Sequence, residues 1–200
     1  MPQPIEFYFD FSSPYGYLGA YEIDALAERH GRDVAWRPYL MGAVMKLTGR
    51  KPLVDSEIVA RYTGNDLSRT ARRIGVPFAL PDPFPVATIA ACRAYYWVLE
   101  QDPGKAKALA KALYAAYFVD GRNIGDAEVV LDVAEAEGID RKALSDALQD
   151  PSVKEKLKQV TDDAAARGIF GSPFVIVDGE MFWGHDRFGQ VDRWLESGGW

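Results

Sequence analysis

Residues 7–19, FYFDFSSPYGYLG, constrain the fold more than any other part of the chain. Residues 5–11 form an apolar and aromatic run broken only by Glu6 and Asp10, the pattern of a short strand buried on both faces. Ser13 is a natural N-cap, and Pro14 falls at the first helical position, where a missing N–H costs nothing. A helix then runs from Tyr15 to about His30. At such a junction the first-turn N–H groups are unpaired and the helix dipole is positive, so the Ser13 hydroxyl sits where a thiolate or carboxylate is favoured. His30 and His185 are the two histidines of the chain, and neither is close in sequence to serve as a base. Ser13 is therefore better suited to donate a hydrogen bond to another molecule's anion than to attack as an alkoxide. On these residues alone, helix capping and anion contact both stay open.

Residues 33–39 read as a second strand, which completes a βαβ unit. From there the pattern is helical: a short helix over 42–47, a longer one over 55–74 stopped by Gly75, and others over 88–100, 103 to about 119, 126–137, 140–148 and 151–167. The connector FALPDPFPV, residues 78–86, is too rich in proline to be helix and reads as an ordered loop of the kind that lines a cleft. Near the end, GIFGSPF leads into a strand over 174–177, an Asp178-Gly179 hairpin turn, a partner strand over 181–183 and a last helix after Asp186. The order βαβ, helical block, ββα is that of an α/β, thioredoxin-like domain opened to accept an all-helical insertion. The expected division is one unit, 1–200, with its thioredoxin-like part at 1–40 and 166–200 and the insertion at 41–165.

Charge and cysteine content narrow the function. Twenty-three Lys and Arg against 29 Asp and Glu give a net charge of −6, with no basic stripe of the kind nucleic acids require. Cys92 is the single cysteine, so neither an intrachain disulfide nor a cysteine metal cage can form, and the two histidines add no metal motif. No apolar run reaches membrane-spanning length and the start of the chain lacks a signal-peptide pattern, so the expectation is a cytoplasmic protein without membrane or nucleic-acid partners. Cys92 itself reads as a buried structural thiol.

Thioredoxin-like enzymes carry a reactive Cys-x-x-Cys at the start of the first helix, opposite a cis-proline. Here the equivalents are Ser13-Pro14-Tyr15-Gly16 and Ser172-Pro173, and dithiol redox chemistry is excluded. With DFSSPYGYLGAYE near one end, PYLMGAVMK after the second strand and GIFGSPFVIVDGEMFWGHDRF near the other, the chain resembles, over nearly its whole length, the 2-hydroxychromene-2-carboxylate isomerases and kappa-class glutathione transferases of the DsbA-like thioredoxin superfamily. The resemblance implies a glutathione-dependent isomerase of aromatic hydrocarbon catabolism, acting by reversible thiolate addition to a conjugated C=C. It also leaves a kappa-type transferase possible, and a non-catalytic thioredoxin-like binding module is the rival from another class.

The residue roles come from the same resemblance. Ser13 is the catalytic serine that contacts the glutathione sulfur, with Ser12 beside it as the alternative by one position. Ser172, before an expected cis-Pro173, offers its backbone to the tripeptide, and His185, Asp186 and Arg187 grip the γ-glutamyl end with Asp186 facing the ammonium. Lys46, Arg50 and Phe84 are the expected contacts of a small aromatic substrate, and a homodimer is implied. Three places depart from the family pattern: Gly49-Arg50-Lys51-Pro52, Val59-Ala60-Arg61-Tyr62 and Ala87. Either Arg50, Lys51 or Arg61 takes over the hold on the glycyl carboxylate, or that hold is altered. The aromatic set Phe84, Tyr95, Tyr96, Trp97, Tyr114, Tyr117 and Phe118 reads as core before it reads as pocket wall.

Overall fold

The computed structural model describes residues 3–49, 51–52 and 55–200. Strand β1 (Ile5–Phe9) runs into helix α1 (Pro14–Arg29) and returns as β2 (Val34–Pro38). The helices α2 (Met41–Thr48), α3 (Glu57–Ile74), α4 (Ile89–Leu99), α5 (Pro103–Phe118), α6 (Ala127–Ala136), α7 (Arg141–Gln149) and α8 (Pro151–Ala166) follow. The chain closes with β3 (Phe174–Val177), β4 (Glu180–Trp183), a 3-10 turn (His185–Arg187) and α9 (Phe188–Ser197). The sheet order is β2-β1-β3-β4; β1 pairs parallel with β2 and antiparallel with β3, and β3 pairs antiparallel with β4.

Alternation along the strands sends side chains into two cores. Ile5, Phe7 and Phe9 join Trp36, Val175 and Val177 in a large cluster with residues of α1, α4 and α5, whereas Tyr8, Phe174 and Ile176 meet Tyr39, Val44 and Ala164 on the other face. The central strands β1 and β3 are thus buried on both sides, as the apolar run of β1 requires, while the edge strand β4 is largely exposed. Four helices of the block start where an aspartate permits it: Asp102, Asp126, Asp140 and Asp150 accept the N–H groups of Lys105, Glu128, Ala143 and Ser152.

Two expectations shift. β1 ends at Phe9 rather than Phe11, because the Asp10 carboxylate accepts the Ser12 N–H at 2.8 Å and the Asp10 carbonyl accepts the Ser13 N–H at 2.9 Å, which turns the chain out of the sheet. The last helix is preceded by a 3-10 turn that carries His185, Asp186 and Arg187. The proline-rich connector is ordered by bonds to its neighbours: Tyr17 donates to Pro77 O, Tyr117 to Pro83 O, and the Ala79 N–H to Phe118 O.

Candidate active site

The end of β1, the start of α1 and the residue before β3 converge on Ser13. Ser13 takes the extended conformation of an N-cap, with its Oγ accepting the Gly16 N–H at 3.1 Å. The same hydroxyl donates to Ser172 O at 2.9 Å, and the Asp10 N–H donates to Ser172 Oγ at 3.0 Å. The Ser172–Pro173 peptide is cis, and Pro173 O accepts the Gly184 N–H. Ser12, Ser13 and Ser172 are all buried. Among the described residues the Tyr15 N–H has no partner, so one first-turn amide is left to a ligand beside the Ser13 hydroxyl.

Ser12 and Ser13 are distinguished by what they touch. Ser12 Oγ accepts the Val86 N–H and lies within hydrogen-bonding reach of Tyr117, so it belongs to the connector, whereas Ser13 alone caps α1. Beneath both, Asp10 is buried; burial raises its carboxyl above the usual range, against the hydrogen bonds that Ser12, Met41 and Thr88 donate to it.

Two carboxylates lie near the Tyr15 hydroxyl. Tyr15 donates to Asp66 at 2.7 Å, and its hydroxyl pKa is raised by burial, by that bond, and by the charges of Asp66 and Asp186. Asp186 is exposed and ion-paired with Arg187 at 2.8 Å. Asp66 was not legible as a site residue: Asn65-Asp66 lies on the polar face of an amphipathic helix, and only the fold brings it to Tyr15.

The family model of the DSBA-like thioredoxin domain matches residues 4–196. The chain belongs to this family. Across 98% of its length this DSBA-like protein is 29% identical to the 2-hydroxychromene-2-carboxylate isomerase of Sphingobium xenophagum, of which it covers 99%. It is 26% identical to the Homo sapiens glutathione S-transferase kappa 1 over 94% of this chain and 88% of that one. A solved 2-hydroxychromene-2-carboxylate isomerase superposes with a TM-score of 0.88 at 24% identity, covering 97% of this chain and 95% of the other, which shows the thioredoxin-like fold with its helical block.

This DSBA-like chain has no room for the dithiol. An added Cβ at Gly16 would lie 2.6 Å from the Tyr114 hydroxyl and 2.7 Å from Ser172 Oγ, so a side chain at the fourth position of the motif is blocked by packing as well as by sequence. Cys92 is fully buried in α4, and burial, reinforced by the charge of Asp10, raises its thiol well above the ordinary value.

The expected site residues separate into groups. Ser13, Ser172 and Pro173 come together, with Asp186 nearby. His185 is buried and pairs through Nε2 with Glu22 of α1 while its ring packs on Phe188, so the imidazole ties the 3-10 turn to α1. Arg187 pairs with Asp186 through Oδ2 rather than standing alone. Phe84 is half-buried and stacks on Tyr117, with ring centroids 6.5 Å apart. Lys46 is exposed near the end of α2, about 8 Å along the axis from Met41, and makes no ion pair among the described residues. Arg50 lies outside the described residues. Arg61 is exposed and pairs with Glu57 at 3.8 Å, while Val59 and Ala87 are exposed. Tyr95, Tyr96, Tyr114, Tyr117 and Phe118 are core, and the four tyrosine hydroxyls donate to Trp36, Pro38, Asp10 and Pro83 carbonyls. Among the described residues no cluster of His, Cys, Asp or Glu is arranged for a metal, and no helix is long and apolar enough to cross a membrane.

Proposed function

We propose that the protein is a glutathione-dependent isomerase of the 2-hydroxychromene-2-carboxylate type. The observation that carries the reading is the Ser13 hydroxyl at the α1 N-terminus, bonded to Gly16 N–H and to Ser172 O. The residues fit the tripeptide: an unpartnered Tyr15 amide and a serine hydroxyl for a sulfur anion, a second lone pair on Ser172 O for a peptide N–H, and the exposed Asp186, paired with Arg187 through Oδ2 alone, for an ammonium. Bound glutathione supplies a thiolate nucleophile for reversible addition to a conjugated C=C, which is how a chain without an accessible cysteine takes part in sulfur chemistry.

Ser13 does its part by turning its proton from Ser172 O toward the sulfur while Oγ goes on accepting from Gly16. A charge-assisted bond replaces a neutral one, a gain of about 1 kcal/mol, and the helix terminus adds about as much. Roughly 2 kcal/mol in all lowers a thiol from about 8.5 to about 7, enough for a large thiolate fraction at neutral pH. The test is the thiolate absorbance at about 240 nm, titrated against pH with wild-type and Ser13→Ala protein, where the wild type is expected to shift the transition by about 1.5 units and Ser13→Ala, which keeps the helix terminus, by about half as much. Full thiolate formation and turnover in Ser13→Ala would remove Ser13 from the mechanism, and no signal in either protein would favour a non-catalytic binding module.

A second reading, a kappa-type transferase that leaves glutathione on an electrophile, draws on the similarity to the human kappa 1 transferase. The same thiolate serves both, and product analysis separates them: an isomer with glutathione regenerated, or a stable thioether.

A further inference from the structure

Two polar bonds join the proline-rich connector to the turn that carries Ser13. The Val86 N–H donates to Ser12 Oγ at 3.2 Å, and Thr88 Oγ1 donates to Asp10 Oδ1 at 3.1 Å. Asp10 Oδ1 also accepts the Ser12 N–H, and Asp10 Oδ2 accepts the Met41 N–H at 2.9 Å, so one buried carboxylate holds the Ser13 turn, the end of the connector and the start of α2. Thr88 is the N-cap of α4 yet makes no side-chain cap bond, although threonine at that position ordinarily does; its hydroxyl goes to Asp10 instead. Leu40, the N-cap of α2, has no capping side chain, and Asp10 serves in its place from across the junction.

The rest of the connector is held differently. Tyr17, Tyr117 and the Phe118 carbonyl secure Pro77, Pro83 and Ala79 to α1 and α5, which would order the loop by themselves. Among the described residues only the Ser12 and Thr88 bonds run from the connector to the Ser13 turn, and between the two sets sits Phe84, stacked on Tyr117. We propose that Ser12, acting with Thr88 through Asp10, is a positioning residue for the aromatic acceptor, fixing the connector and Phe84 at a set distance from the Ser13 hydroxyl. The inference rests on the thiolate reading above, with Phe84 as the acceptor contact that the resemblance implies, and adds to it what holds Phe84 in place relative to the α1 N-terminus. Reaction between two bound molecules depends on holding them within a fraction of an ångström, so loosening this bracket acts on the acceptor rather than on glutathione.

The experiment compares wild type, Ser12→Ala and Thr88→Val, the last close to isosteric. Three quantities are read: glutathione affinity with its thiolate absorbance, kcat/KM and binding for 2-hydroxychromene-2-carboxylate, and hydrogen exchange of the Val86 amide. The expected result is glutathione affinity within about twofold, acceptor kcat/KM lowered about tenfold in both variants, and faster Val86 exchange in Ser12→Ala. Unchanged acceptor kinetics, or equal losses for glutathione and acceptor, would overturn the proposal. If wild type itself forms no thiolate, the isomerase reading fails; the proposal then stands only if the acid binds without glutathione and more weakly to both variants, and falls otherwise.

Discussion

At Gly16 the space for a side chain has been given to the Tyr114 hydroxyl and Ser172 Oγ. Tyr114 is fixed by burial and by its bond to Asp10 O, so it cannot swing aside cheaply. Helix propensity alone would favour alanine over glycine by about 1 kcal/mol. Gly16→Ala is nevertheless expected to lose about 1–3 kcal/mol in urea unfolding, because overpacking outweighs propensity. It should also weaken glutathione binding, since the displaced atom on the other side is Ser172, the neighbour of the Ser13 hydroxyl. A neutral or stabilising result would mean that α1 slides to make room.

Among elements, the tie between β1 and the end of α8 is electrostatic and therefore depends on pH. Hydrogen bonds from Arg167, helped by the nearby Arg37 guanidinium, hold the Glu6 carboxyl below its ordinary range despite its partial burial. A depressed carboxyl contributes stability above its unfolded pKa and loses it as pH falls through the folded one. With the Arg167 side chain 42% exposed, solvent screening limits the contribution to about 1 kcal/mol. Arg167→Ala should therefore be less stable than wild type at pH 7, and the gap should narrow under acid, leaving what the guanidinium gains over the Tyr8 ring and from its bond to the Tyr8 hydroxyl. A gap that is constant with pH would assign the effect to packing. Element boundaries such as those of α5 and α8 were legible because an aspartate, a proline and an apolar face coincide in a few residues. The bracket around Asp10 was not, since its partners at 41, 88 and 172 are far along the chain and no local pattern joins them. The hairpin at Asp178-Gly179 and the N-cap at Ser13 were visible, whereas the burial of His185 against Glu22 had no signal in a motif that reads equally well as a ligand contact.

For the molecule as a whole, the larger core is shared: Phe7, Phe9 and Trp36 of the sheet lie in one cluster with Tyr95, Leu109 and Leu113 of the helical block. The opposite sheet face depends on the block as well, through Val44 and Ala164. Neither part retains a closed core without the other, so unfolding should be a single transition, with far-ultraviolet circular dichroism and tryptophan fluorescence coinciding in urea. Separate midpoints would show that the helical block folds on its own. The same continuity explains the buried place of Cys92, sealed in α4 between the two parts. Under the proposed chemistry the reactive sulfur enters and leaves with the cofactor while the protein's own thiol stays out of reach. Peroxides and alkylating agents would then spend themselves on a replaceable small molecule, and a catalyst of this design outlasts the damage its chemistry attracts.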